Sequence, residues 1–279
     1  MHRGLICLFV ALAAVSVGCS ASRPDEFELA KHRAMYWRPD ASRAEASPER
    51  ITSLRDRCEL VAARDLALDL AKQQPNDASA LILASRAESD FLFVTAGDEQ
   101  YADARATAAW SALDFAERAV AAGDEGAATV AQLAWAQGSV THLMPMFARA
   151  AHARTIGESV ARALAIDDRQ STAWATRAVL QTRLVTLPWI ADVFAFGAPD
   201  ASVKRAIDAA AWAVELRPSL QHALLLANAY GAAEREGDAR AAVVAALEDE
   251  RRFARDDALL DQARQRTAPT TEADDRTSP

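Results

Sequence analysis

The chain has 279 residues and a formal net charge of −8, and 67 of its residues are alanine. The acidic balance and the lack of a basic cluster exclude nucleic acid as an expected ligand, because its phosphates would be repelled. Alanine is the strongest helix former and lets helices pack closely. Because runs of alternating β-branched and polar residues are also absent, the composition predicts an all-α fold.

The N-terminus has the form of a lipoprotein signal peptide, predicted over 1–18. Arg3 gives a basic start, residues 4–17 are apolar, and the sequence SVGC at 16–19 resembles a bacterial lipobox. The apolar run is shorter than the roughly 20 residues that cross a bilayer. The resemblance implies palmitate on Cys19 and a periplasmic, lipid-anchored protein, with the outer membrane favoured. An ordinary secretory leader is the alternative.

Three further segments are predicted after the leader. Residues 19–46 are polar and predict a tether to the membrane. The sequence SPE at 47–49 predicts a helix start, with a serine cap and proline at the first helical position. Stacked helices share one continuous core, so residues 47–266 are predicted to form a single domain. The tail 267–279 lacks apolar anchors and is predicted to be disordered.

Within that domain, apolar residues at helical spacing predict four helix–turn–helix hairpins. Their turns are predicted at Pro75, Asp124, Asp168 and Pro218. The helices after the first three turns are predicted over 78–94, 126–143 and 171–187. Aspartates favour helix N-termini, so Asp200 and Asp238 are predicted to cap the first and third helices around the last turn.

Two short segments resemble the tetratricopeptide repeat (TPR) pattern. One runs from Ala213 through Leu216 to Pro218 and ends a helix, and the other is Gly237-Asp238, which opens a later helix. The resemblance implies a TPR-like α-solenoid of stacked antiparallel helix hairpins. The predicted turns are spaced more widely than the TPR period of about 34 residues, so longer helices or connectors fill the difference.

A wider set of segments resembles the T component of tripartite ATP-independent periplasmic (TRAP) transporters: 115–119, 160–167, 186–189, 196–197 and 213–218. The resemblance implies an accessory protein of solute uptake that binds a solute-binding protein and an apolar ligand. Eukaryotic regulators of microtubule dynamics use a similar hairpin pattern, although a lipobox is not typical of them. A general envelope scaffold for a protein or peptide is the alternative function, and homo-oligomerisation stays open.

No catalytic or metal-binding motif is recognised in the mature chain. Its histidines do not occur at metal-ligand spacing: His32, His142, His152 and His222. Cys58 is the single thiol left after the leader and the anchor, and it is predicted to be a buried helix residue. The sequence therefore predicts no enzyme, cofactor or metal, with an undetected enzyme as the third alternative.

The tryptophans are the remaining candidates for a binding surface: Trp110, Trp135, Trp174, Trp189 and Trp212. Large rings either fill gaps between helices or line an apolar groove. Trp135 and Trp174 both lie on helices that follow a predicted turn. Stacked hairpins place related positions on one side of a solenoid, so these two rings are the predicted ligand- or partner-binding residues.

Overall fold

The computed structural model describes residues 46–57, 59–95, 101–186, 201–249, 253 and 255–268. These residues form eleven α-helices and no strand, which confirms the all-α prediction. The helices are α1 (Pro48–Asp56), α2 (Leu60–Gln73), α3 (Ala78–Val94), α4 (Ala102–Ala121), α5 (Ala127–Thr141), α6 (Met146–Ile166), α7 (Ser171–Val185), α8 (Val203–Leu216), α9 (Leu220–Gly231), α10 (Glu236–Glu248) and α11 (Asp256–Thr267). The predictions for the signal peptide, Cys19, the tether, Cys58 and Trp189 fall outside the described residues.

The four predicted hairpins are confirmed as the pairs α2–α3, α4–α5, α6–α7 and α8–α9, and the two helices of each pair contact each other. In the second turn, Asp124 Oδ1 accepts the N–H of Gly126 at 2.9 Å, and its Oδ2 accepts the Thr129 hydroxyl at 2.5 Å. A short carboxylate thus satisfies donors at the start of α5.

Helix starts follow the predicted capping chemistry at α1 but not at two later helices. The Ser47 hydroxyl accepts the N–H of Arg50, with proline at the first helical position, as predicted. The cap of α8 is Ser202 rather than Asp200. The prediction for Asp238 is also wrong, because α10 begins at Glu236 and Asp238 lies in its first turn, paired with Arg235 at 2.7 Å.

The helices are arranged in two rows. Helices α3, α5, α7 and α9 each contact the next, and we call them the inner row. Helices α2, α4, α6 and α8 form the outer row, whose members do not contact one another within the described residues. Because neighbours contact each other in the inner row and not in the outer row, we infer that the stack bends with the inner row on its concave side. Helix α11 contacts both α9 and α3, the two ends of the inner row.

Small residues hold the rows together. Fully buried alanines lie at helix–helix contacts along the whole stack, and they include Ala67, Ala84, Ala112, Ala116, Ala131, Ala163 and Ala210. Ala213, predicted to lie between two helices of one hairpin, is also fully buried. No helix in the described part of the chain is both long and apolar enough to cross a membrane.

Candidate functional site

The most unusual feature of the inner row is a polar stretch in the middle of α3. Residues 85–90 read SRAESD, between the apolar runs ALILA and FLFV. Ser85, Glu88, Ser89 and Asp90 are buried, and Arg86 is half-buried. The flanking apolar turns keep α3 in the core, so its central polar side chains must find partners on neighbouring helices.

Two of these side chains are joined to α5 by hydrogen bonds. The Gln132 amide donates to Ser85 Oγ at 3.0 Å and to Ser89 Oγ at 3.1 Å. The Ser85 hydroxyl in turn donates to the carbonyl oxygen of Ala112 on α4, at 2.8 Å. Because every partner is buried, this network fixes how three helices meet.

Glu88 forms a closed pair with α2. Arg64 donates to both Glu88 oxygens, through Nε at 3.0 Å and through a terminal nitrogen at 3.3 Å. The guanidinium carbon of Arg64 also lies 4.4 Å from the ring centre of Phe91. Because the two opposite charges are adjacent and cancel, this pair adds no net charge to the inner row.

Asp90 joins the two ends of the folded chain. Arg55 Nε from α1 and Arg255 Nε, at the residue before α11, each donate to one Asp90 oxygen at 2.6 Å. The Asp90 side chain is 1% exposed. Burial alone would raise the pKa of Asp90, but Arg255 and Arg55 lower it, so the pKa lies below its usual value.

Next to this ion pair lies an aromatic shelf, formed by Phe93 of α3 and Trp135 of α5. The two rings are stacked, with centroids 6.1 Å apart. The guanidinium carbon of Arg255 lies 4.4 Å from the Phe93 ring centre and 5.1 Å from that of Trp135. A guanidinium over an aromatic face is attracted by the ring quadrupole, so the shelf helps to hold Arg255 in place.

The chain before α11 is held over the inner row by a second set of contacts. Asp256 is fully buried and accepts the N–H groups of Gln221 and Phe253, both at 3.1 Å. The guanidinium carbon of Arg217 lies 4.3 Å from the Phe253 ring centre. We call Phe253, Arg255 and Asp256 the closure, because they connect α9 to α3 across the concave side.

The predicted pair of tryptophans belongs to two different aromatic pairs. Trp135 lies in the shelf, whereas Trp174 stacks on Trp212 of the outer-row helix α8, with centroids 6.0 Å apart. Trp174 Nε1 donates to the carbonyl oxygen of Asp168 at 2.7 Å. Trp212 is 46% exposed, and Trp110 is buried in the core between α4 and α5.

Comparisons with known proteins agree with this architecture. The model of the family described as "Regulator of microtubule dynamics protein 1-3" matches residues 50–268. The chain belongs to this family. The crystal structure of a thermophilic TPR protein from Thermus thermophilus is similar in fold, with a TM-score of 0.56 at 16% identity. That similarity covers 79% of this chain and 98% of the other.

The fold of this member of the regulator family is therefore a TPR-like α-solenoid. No curated protein sequence matches it significantly. Neither of the matches above supports the resemblance to a TRAP transporter T component. The coarser prediction of a TPR-like helical protein is confirmed.

Two histidines of this family member are held against backbone carbonyl oxygens. His222 is buried, and its Nδ1 lies 2.8 Å from the carbonyl oxygen of Arg217. Burial lowers the pKa of His222 to about 4, so the ring is neutral at physiological pH. His152 Nε2 lies 3.1 Å from the carbonyl oxygen of Gln137. Within the described ranges, no group of three or more His, Cys, Asp or Glu side chains could hold a metal ion.

Sequence reasoning missed the polar stretch of α3 and the closure. A signal for the first was present, because SRAESD interrupts an apolar helix that must be buried on most sides. No local signal marks Arg255 as the partner of Asp90, because the two residues are 165 positions apart.

Proposed function

We propose that this chain is a protein-binding solenoid that holds its partner on the inner row. The observation that carries the proposal is the concave row of α3, α5, α7 and α9, which presents the shelf and Arg255 on one side. Solenoids of this type use concave surfaces for extended contacts with proteins and peptides.

Site-specific photo-crosslinking in cells tests the proposal. The crosslinking residue p-benzoylphenylalanine replaces Trp135 in the shelf, and in a matched control it replaces Trp212. Both are stacked tryptophans, but Trp212 lies on the outer row. We expect a discrete protein adduct from position 135 and none from position 212. Adducts from position 212 alone, or equal adducts from both positions, would contradict an inner-row site.

We also propose that the solenoid is anchored to the periplasmic face of a membrane, with the outer membrane favoured, through palmitate on Cys19. The apolar run that ends in SVGC supports this proposal. Labelled palmitate should enter the wild-type chain and not Cys19→Ala. Equal labelling of the two chains would refute the anchor.

A narrower proposal follows from the resemblance to TRAP T components. It names a solute-binding protein as the partner and an apolar small molecule as a ligand at Trp135 and Trp174. The adduct from position 135 should then contain a solute-binding protein, and an apolar ligand should quench tryptophan emission less in Trp174→Ala. Any other partner in the adduct leaves the general scaffold as the function.

A further inference from the structure

Two guanidinium groups lie beside the closure, those of Arg86 and Arg217. Arg86 lies one helical turn before Asp90 on α3 and is half-buried, while Arg217 is exposed and covers the Phe253 ring. Among the residues that the structure describes, neither guanidinium makes a hydrogen bond or an ion pair. Both therefore retain donors for a ligand that is not part of the described chain.

The carboxylates near these two arginines are engaged elsewhere. Asp90 is bound by two other arginines, and Asp256 accepts two backbone N–H groups. Asp124 accepts a backbone N–H and a threonine hydroxyl. Asp56 is exposed, so water screens its charge. The closure and its surroundings thus contain four arginines and four carboxylates, but no described carboxylate lies within ion-pair distance of Arg86 or Arg217.

The half-buried position of Arg86 makes an anionic partner favourable. Burial, and then the like charge of Arg55, lower the pKa of Arg86 to about 10. The group is still charged at neutral pH, but it has lost part of its hydration without gaining a direct ion pair. A guanidinium offers parallel donors that match the two oxygens of a carboxylate.

We propose that the surface beside the closure is a binding site for an acidic segment of the partner protein, whose carboxylates are held by Arg86 and Arg217. Asp90 shows the geometry within the chain, since Arg55 and Arg255 hold it at 2.6 Å each. This inference rests on the proposed function, binding of a protein by the inner row, and it adds that the bound segment of the partner is acidic.

A short acidic peptide fits this site better than an anionic membrane surface does. The net charge of −8 repels an extended anionic surface, whereas a peptide meets mainly the two unpaired arginines. The site also lies beside the closure on the side of the inner row. The shelf of Phe93 and Trp135 lies beside it and offers apolar contact to the same peptide.

Fluorescence anisotropy with the purified full chain tests the site. The probe is a fluorescein-labelled peptide of Glu-Glu-Asp-Asp flanked by glycines, and the neutral comparison is its Gln-Gln-Asn-Asn version. We expect the acidic probe to bind, the neutral probe to bind at least about tenfold more weakly, and binding to weaken as salt is added. Binding to vesicles that contain phosphatidylglycerol is measured in parallel, to test whether the site binds an anionic membrane instead.

Single substitutions assign the binding to the arginines. Arg86→Gln and Arg217→Gln should each weaken the acidic probe by about tenfold or more, since each removes a charge-assisted hydrogen bond. Arg86→Lys should recover part of the loss because it restores the charge. Arg162→Gln makes the same charge change at an exposed position of outer-row helix α6 and should bind like the wild type. Circular dichroism confirms that each variant is folded.

The outcomes separate this proposal from the function on which it rests. Equal binding of the acidic and neutral probes, or wild-type binding by both Gln variants, would overturn the acidic-peptide site. Binding to vesicles that is lost in Arg86→Gln, without binding of the acidic probe, would assign the site to a membrane instead. If the acidic-peptide site is overturned but position 135 still yields its protein adduct, the inner row binds a protein through other contacts. If position 135 yields no adduct, the proposed function fails as well.

Discussion

Asp90→Asn tests whether the ion pairs at the closure hold the two ends of the solenoid together. The substitution keeps the size of the side chain but removes its charge, and it leaves the guanidinium groups of Arg55 and Arg255 without a counter-charge. Their side chains are 19% and 10% exposed, so water can restore little of the loss. Removing one partner of a buried pair costs about 3–5 kcal/mol.

We expect the lower end of that range, about 3 kcal/mol, because the Asn oxygen still accepts one hydrogen bond. For a domain of this size, that loss corresponds to a melting temperature lower by roughly 6–12 °C. Urea unfolding followed by far-ultraviolet circular dichroism measures it. The control is Asp261→Asn, whose partner Arg264 lies at 3.2 Å and whose own side chain is 88% exposed. Exposed pairs contribute at most about 1 kcal/mol.

The pH dependence supplies a second measurement on the same variant. Because the folded-state pKa of Asp90 is lowered, its stabilising contribution is present above the unfolded-state pKa of about 3.9 and is lost as the pH falls through the folded value. The difference between wild type and Asp90→Asn should therefore shrink below about pH 4. If Asp90→Asn costs no more than Asp261→Asn at neutral pH, the closure does not stabilise the fold.

Two other substitutions test the packing. Ala213→Glu buries an unpaired charge between helices and should lower the free energy of unfolding by at least about 2 kcal/mol. The control is Ala211→Glu on the same helix, which should change it little because position 211 is exposed. Urea unfolding measures both variants. Equal effects would mean that Ala213 tolerates solvent. The folded-state pKa of His222 is about 4, below the unfolded-state value of about 6.5. As the pH falls, the unfolded state therefore binds the proton first, and the free energy of unfolding should decrease between pH 6.5 and 4. His222→Gln should flatten that slope, and an unchanged slope would assign it to other groups.

The hairpins could be predicted because their signals are local. Apolar spacing and turn residues such as Pro75 and Pro218 lie within the segments that they define. The exact caps could not be predicted, because the sequence offers two capping residue types two positions apart, Asp200 and Ser202, and Ser202 is the cap of α8. Local patterns set the type of each element more firmly than its ends.

The binding surface was less predictable because it depends on curvature. Trp135 and Trp174 both follow a turn, yet Trp135 lies in the middle of α5 and Trp174 at the end of the first turn of α7. The two rings consequently stack on neighbours from different rows. The pairing of Asp90 with Arg255 requires the whole stack to bend through a set angle, and helical periodicity contains no measure of that angle.

The closure also fixes the number of hairpins. An open repeat array can gain or lose a unit because each unit contacts only its neighbours. In this chain an added hairpin would carry Arg255 away from Asp90 and leave a buried carboxylate with one arginine instead of two. Tandem duplication, the usual route by which repeat proteins lengthen, would therefore be penalised here. Arg55, near the end of α1, and Arg255, just before the start of α11, both bind Asp90, which also restrains these two helices against fraying.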